Sequence, residues 1–337
     1  MKKAVIRGER DVQLVEAPTP KATQDWALVK IMAAPMCTEW KAYCDGDVCD
    51  CLGHEAAGEV VEVPQPGAVE VGDRVVVMPQ YPCGQCPLCI AGEYIHCQNV
   101  IDIQDHTGSP EGTATYAQYL VKHSWLLPKI PDGMSYDHAS MLCCGLGPTF
   151  GAMERMNVDA FDTVLMVGLG PVGLGGIINA IYRGARVIGV GSNPYRCKLA
   201  RELGAEHIID PNDPNAVKQI QDLTNGRGAD KALDCAGAPE AQRLMLDALR
   251  RNGEAAFVGE SGDLSIRVSD DIIRNGLTLH GAWHYNLNGI PKLMQIAQKM
   301  APDLDKLITH TFPIENVKDA LELQTTRQCG KVVLHPW

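Results

Sequence analysis

The sequence predicts an α/β protein in two parts, a β-rich domain followed by a doubly wound domain on a parallel sheet. Three observations carry this. Up to residue 150 the apolar runs are short, rich in β-branched residues and mostly followed by turn residues. From Thr163 onward, apolar strands alternate with helical segments, the pattern of a parallel sheet covered on both faces. A length of 337 residues suits about two domains, and an apolar content of 45% lets each bury its own core.

In order along the first part, WALVKIMAA, HEAAGEVVEVP, DRVVVMP and TYAQYLVKH read as strands whose spacing suggests a barrel or sandwich. In the second part TVLMVGLG reads as a strand, PVGLGGIINAIYRG as a helix and ARVIGVGS as the next strand. HIID, ADKALDCAG and EAAFVGE continue the strands, and RCKLARELGA, AVKQIQDLT and APEAQRLMLDALR the helices. From about Asn286 a helix, GIPKLMQIAQKM, leads to a last short strand, KVVLHP.

A net charge of −11, with no Lys/Arg run, argues against nucleic acid as a partner. The opening MKKAVIRGERDVQL lacks the apolar stretch of a secretory signal. No window reaches the ~18 apolar residues that span a bilayer, so a cytoplasmic protein with no membrane partner is expected. In a reducing compartment 13 cysteines, an odd number, do not suit a disulfide framework, which leaves metal ligation as the leading use of any dense cluster.

Such a cluster exists in YPCGQCPLCIAGEYIHCQ, where Cys83, Cys86, Cys89 and Cys97 are spaced C-x2-C-x2-C-x7-C. Four thiolates complete a tetrahedral zinc and leave no place for substrate, so this site reads as structural. Other soft or nitrogen ligands are scattered: Cys37 after a strand, His54 and Glu55 before another, Cys143 and Cys144 at a Gly/Pro-rich turn. A catalytic zinc takes three protein ligands and an open fourth position. Singly, each has an ordinary reading, because buried cysteines usually serve as small apolar residues.

The order of motifs is more specific than any one of them. GHEAAGEVVEV, VGDRV, the four-cysteine loop, the Cys-Gly turn and a glycine-rich strand–helix junction resemble the zinc-containing medium-chain alcohol and polyol dehydrogenases, from Cys37 to the GKVVL ending. The resemblance implies a GroES-like catalytic domain (1–150 and 286–337) around a Rossmann domain (151–285), with two zinc ions per chain. It implies a homodimer or homotetramer joined through the nucleotide domain, with GEAAFVGE and LTLHGAW as candidate interface strands. It places the catalytic zinc on Cys37, His54 and Cys144, with Glu55 as an alternating or outer carboxylate. Cys143 stands where a small residue is usual, and Cys44, Cys49 and Cys51 take no family role.

The family's proton relay, Cys-x-Thr/Ser-Asp-x-His, is altered here to CTEWKAY. Straight counting puts Glu39 where the hydroxyl belongs. One deletion, the preferred alignment, makes Thr38 the hydroxyl, Glu39 the acid and Lys41 the relay group.

Gly168, Gly170 and Gly173 form G-x-G-x-x-G between an apolar strand and a helix, with Pro171 and Val172 inside the motif. That context identifies a dinucleotide turn, with the diphosphate at a helix N-terminus. The next strand ends in Gly191, Ser192 and Asn193 rather than the acid that binds a ribose 2′-hydroxyl, and Arg196 or Arg201 can supply positive charge. This favours NADP slightly over NAD.

The expected reaction is hydride transfer between a small-molecule alcohol or ketone and NAD(P), with zinc as Lewis acid. An aromatic content of only 5%, with Glu39, Lys41, Asp105, His106 and His284 as polar candidates and Trp40 and Trp283 for stacking, favours a polyol, cyclitol or amino alcohol. The rivals are a metal-free quinone or enone reductase of the same superfamily, a lyase that keeps NAD bound, and a non-catalytic zinc/nucleotide redox sensor.

Overall fold

The computed structural model describes residues 1–103, 105 and 114–337; His106 lies outside the described residues. The chain divides into two compact units, Met1–Gly145 with Asn286–Trp337, and Leu146–Tyr285. The first unit begins with β1 (Lys2–Gly8), β2 (Asp11–Glu16), β3 (Trp26–Pro35), β4 (Ala56–Glu62), β5 (Arg74–Val77) and β6 (Tyr119–His123). The second unit holds β7 (Thr163–Val167), β8 (Arg186–Val190), β9 (His207–Ile209), β10 (Ala229–Asp234), β11 (Leu249–Phe257) and β12 (Thr278–Gly281). The chain then returns to the first unit with β13 (Ile308–Pro313) and β14 (Lys331–His335).

The first unit is organised around β3, which is buried along most of its length. It pairs antiparallel with β4 and β6, and its last residues, Ala34 and Pro35, pair with Leu334 and Val333 of β14. The full order is β13-β14-β3-β4-β5, with β6 also on β3. Val29, Ile31, Val75, Val77, Val332 and Leu334 from these strands share one core with Tyr43 and Tyr116. Because Met36 N donates to Val332 O at 2.8 Å, the last strand is fixed one residue short of Cys37.

The second unit is a six-stranded sheet in the order β12-β11-β10-β7-β8-β9. All its pairings are parallel. In β7 and β8 every residue after the first is buried, as a sheet covered on both faces requires. Strand order reverses beside β7, so the loop leaving its C-terminal end sits at the switch point where such sheets bind ligands. β11 is interior, flanked by β10 and β12, whereas β12 is an outer strand. Of the two interface strands suggested by the sequence, only β12 therefore has an open edge. Among the described residues no helix is long and apolar enough to cross a membrane.

The returning segment is also clamped by ion pairs. His335 Nε2 lies 2.8 Å from Asp137 Oδ1, and His138 Nε2 lies 2.7 Å from Asp305 Oδ1; Asp137 and His138 both belong to the helix Tyr136–Ser140. Asp137 raises the pKa of His335 above its usual 6.5. A raised folded-state pKa means that the pair's stabilisation is complete below about pH 6.5 and is lost as pH rises through the folded value. The pair is partly exposed, so solvent screening limits it to no more than about 1 kcal/mol. Urea titrations of the wild type and His335→Gln should differ most below about pH 6.5 and converge as pH rises through the folded-state pKa; a gap that widens with pH would contradict this assignment.

Candidate functional site

Three separate stretches of the first unit deliver one cluster. Cys37 follows β3, His54 and Glu55 lie in the loop entering β4, and Cys144 sits in the turn after the helix Tyr136–Ser140. One ligand atom from each of these four residues lies within 4.8 Å of all the others. His54 Nε2 is 3.3 Å from Cys144 Sγ, close to the edge of about 3.5 Å expected for nitrogen and sulfur sharing a tetrahedral zinc. Cys37 is held well below the usual thiol range, chiefly by the S–H of Cys144 hydrogen-bonding to it, so it offers a thiolate.

Glu39 sets the orientation of the imidazole. His54 Nδ1 is 2.7 Å from Glu39 Oε1, while Glu39 Oε2 accepts from Tyr116 Oη at 2.8 Å and Cys37 N at 2.9 Å. A carboxylate on one ring nitrogen fixes the tautomer and frees the other to ligate, so Nε2 faces the sulfurs. Burial alone would raise Glu39, but the charge and hydrogen bond of His54 bring it down to about 2.

Glu55 is wholly buried. Its Oε2 accepts from Cys144 N at 3.0 Å and its Oε1 is 2.5 Å from Lys331 Nζ, itself fully buried. Burial pushes Glu55 up to about 7 against the pull of Lys331. Gln324 Nε2, from the helix Val317–Thr326, donates to Cys37 O at 3.3 Å. Two thiols, an imidazole and the carboxylate of Glu55 thus bring four ligand atoms together, with Lys331 as a buried cation beside Glu55, and this donor set suits a divalent ion of the zinc type.

The second cluster is closed. Cys83, Cys86, Cys89 and Cys97 place their Sγ atoms within 4.8 Å of one another, with 3.5, 3.6 and 3.9 Å between the Cys86–Cys89, Cys83–Cys97 and Cys86–Cys97 pairs. These are too long for disulfides and bracket the edge of about 3.8 Å implied by tetrahedral zinc–sulfur bonds. N–H groups of Gln85 and Cys86 point at Cys83 Sγ, and that of Asn99 at Cys97 Sγ, at 3.3–3.4 Å. Gly92 makes the turn at φ +87°, where a Cβ would lie 2.2 Å from Asn286 Oδ1. The two clusters together are two candidate zinc sites.

In the second unit the loop after β7 forms a tight cradle. Gly168 has φ +90°, and a Cβ there would lie 2.6 Å from Ala236 N. A Cβ on Gly173 would lie 1.9 Å from Gly168 O. Gly170 caps the helix Pro171–Tyr182, with Pro171 at its first position and Val172 next. The bare backbone and helix N-terminus fit a dinucleotide diphosphate. Ser192 is exposed after β8, and Gly191 packs on Leu169. Asn193 Oδ1 accepts from Arg196 N at 3.0 Å, capping the helix Pro194–Glu202. The Arg196 guanidinium lies 4.0 Å from the position a Cβ on Gly170 would take.

Other residues singled out by sequence are dispersed. Thr38 is exposed at the N-cap of the helix Glu39–Asp45, and its side chain does not cap that helix. Lys41 and Asp105 are exposed, and Trp40 packs on the core of the first unit. In the second unit His284 is buried and Trp283 is 46% exposed. Lys331, Tyr116 and Gln324 carry no local sequence signal of a site. Nor does the pocket of about 500 Å³ beyond β11 and β12, lined by Val258, Glu260, Ser261 and Trp283 among others.

Comparison with known proteins agrees with this geometry. Residues 23–132 match the alcohol dehydrogenase GroES-like domain, and residues 171–299 the zinc-binding dehydrogenase domain. The chain is 31% identical over 349 residues to sorbitol dehydrogenase of Bacillus subtilis (strain 168), covering 100% of this chain and 97% of that protein. It is 31% identical over 348 residues to L-threonine 3-dehydrogenase of Pyrococcus abyssi, covering 95% and 94%. The fold matches that of an alcohol dehydrogenase from Thermus sp. ATN1 with a TM-score of 0.89, at 24% identity and full coverage of both chains. The GroES-like domain and the all-parallel Rossmann-like sheet expected from the sequence are therefore both present. The chain belongs to the zinc-binding medium-chain alcohol dehydrogenase family and is a zinc-dependent, nicotinamide-dinucleotide-linked alcohol dehydrogenase.

Proposed function

We propose that the protein oxidises the secondary hydroxyl of a small polyol, cyclitol or amino alcohol, with NADP ahead of NAD, and reduces the ketone in reverse. The observation that carries the reading is the convergence of Cys37, His54 and Cys144 on one point. Sorbitol and L-threonine, named for two of the relatives, are both small molecules whose secondary hydroxyl has a polar neighbour, which supports the substrate class.

In this reading Cys37 Sγ, Cys144 Sγ and His54 Nε2 would hold the catalytic ion, with the substrate oxygen completing its ligand set. Bound there, zinc supplies Lewis-acid polarisation of the substrate oxygen, and the nicotinamide supplies the hydride acceptor. Glu39 keeps the proton on His54 Nδ1. Thr38 Oγ1, not engaged in capping its helix, accepts the proton that leaves the substrate hydroxyl as it passes its own proton on toward solvent. Lys41, three residues on and exposed, stands at the solvent end of that path. Glu55 acts from beside the ligands. Gly168, Gly170 and Gly173 bring bare backbone against the diphosphate, with Pro171 and Val172 opening the helix. Gly191, Ser192, Asn193 and Arg196 would face the adenosine ribose; the lack of an acid there, with a guanidinium beside the glycine loop, supports NADP. Cys83, Cys86, Cys89 and Cys97 hold the structural zinc. We assign the interface of a homodimer or homotetramer to the open edge of β12, whose end residues Thr278 and Gly281 are exposed.

The direct test is a panel of polyols, amino alcohols and simple alcohols with NADP and NAD, read at 340 nm and with metal content measured alongside. Turnover should be greatest with a vicinal diol or amino alcohol; activity confined to simple primary alcohols would refute the substrate class. Cys144→Ala should abolish turnover and lose one zinc per chain while its thermal midpoint changes little. Cys89→Ala should lose the other zinc and drop the midpoint by several degrees. Normal kcat in Cys144→Ala would remove that residue from the ligand set.

A separate expectation concerns the dinucleotide. The Cβ of Gly173→Ala has no room against Gly168 O, so NADP affinity by fluorescence titration should fall at least about tenfold, or about 1.4 kcal/mol. Unchanged affinity would place the diphosphate elsewhere.

A further inference from the structure

We propose that Lys331 is a positioning residue that tethers Glu55 off the catalytic metal and so keeps the substrate position open; this rests on the functional reading above. Glu55 is a competitor built into the site. One of its carboxylate oxygens lies within the same 4.8 Å as the ligand atoms of Cys37, His54 and Cys144. That distance puts it within reach of an ion held by those three. Zinc accepts carboxylate oxygen readily, and a fourth protein ligand would convert an open site into a closed one.

Both oxygens of Glu55 are instead engaged elsewhere. Oε1 pairs with Lys331 Nζ at 2.5 Å, and Oε2 accepts the backbone N–H of Cys144 at 3.0 Å. The backbone bond comes from the turn that carries a ligand and is set by the fold. The lysine is the part that a side-chain change can remove. Its position is fixed from both sides: β13 and β14 pair in parallel at Ile308 and Lys331, and Met36 N donates to Val332 O at 2.8 Å. The ammonium is wholly buried, so it cannot exchange the carboxylate for water. An unpaired carboxylate in that place is costly, and an ion held by Cys37, His54 and Cys144 would offer it a positive partner. Loss of Lys331 therefore drives Glu55 toward the ion.

The alternative role for Lys331 is plain neutralisation of a buried negative cluster, with no influence on coordination. Cobalt(II) separates the two, since its visible bands report coordination number. The full chain is loaded with cobalt and titrated with imidazole, a small neutral ligand for the open position; the four-cysteine site has no open position and does not respond. In the wild type, imidazole should shift the cobalt bands to saturation. In Lys331→Met its apparent affinity should weaken by about 10- to 100-fold, the usual range for losing a group that orients a metal ligand. The bands before titration should already show the extra oxygen ligand. Lys331→Arg, which can still hold Glu55, should titrate as the wild type does. Glu55→Gln/Lys331→Met removes the buried charge that threatens folding and should recover imidazole binding. Wild-type affinity in Lys331→Met overturns the tether. So does a defect that the double variant fails to recover, because the fault then does not lie with Glu55. A wild-type chain whose cobalt spectrum ignores imidazole overturns the open-site reading of the function itself, and the tether with it.

Discussion

The structure depends on placing two sulfurs, an imidazole and two carboxylates around one partly buried point, with Lys331 buried beside them. Such a gathering is unfavourable by itself, because each ionised group gives up water and faces like charges. It becomes favourable when a divalent cation enters and when every outer atom has a partner. Glu39 has three partners, in His54, Tyr116 and the N–H of Cys37. Glu55 has two, Lys331 and the N–H of Cys144. The polar atoms around the ligands are thus largely committed to one another, which leaves the ion's own coordination as the variable that chemistry can use.

The two cysteine-bearing sites divide labour along physical lines. The loop with Cys83, Cys86, Cys89 and Cys97 contributes only short helical turns, Pro87–Ile90 and Tyr94–His96, and four sulfurs close its metal position. A closed site contributes folding energy and nothing to turnover. The other site draws its ligands from the ends of strands and a turn packed in the main core, so the fold holds it rather than the reverse. On the proposed reading its two sulfurs and one nitrogen would leave one position for substrate, with Glu55 held aside by Lys331.

What the sequence disclosed follows from distance along the chain. The four-cysteine loop and the glycine motif are local, and their spacing alone speaks. The alternating pattern after Thr163 fixed the parallel sheet, because strands buried on both faces must be apolar throughout. Cys37, His54 and Cys144 are far apart in sequence and emerged only through the order of several motifs. Glu39 was ambiguous by counting. Its contact with His54 depends on the helix Glu39–Asp45 starting at that residue, which brings the side chain back over Cys37 N. β13 was passed over because ITHTFP is half polar and lies at the edge of the sheet. Lys331 was not legible at all: it begins an apolar strand 276 positions from its partner, and a lysine at a strand start usually reaches solvent.

That separation has a consequence for how the site is assembled. Glu55 can be buried at low cost only when Lys331 arrives, and Lys331 arrives only when β14 docks on β3. The pairing closes most of the length of the chain, including the whole second unit, and a loop of that length carries a closure entropy that the contact must offset. On the proposed reading an open fourth position would be a property of the completed first unit and not of its N-terminal segment alone: that segment carries Cys37, His54 and Cys144, and the last strand carries Lys331.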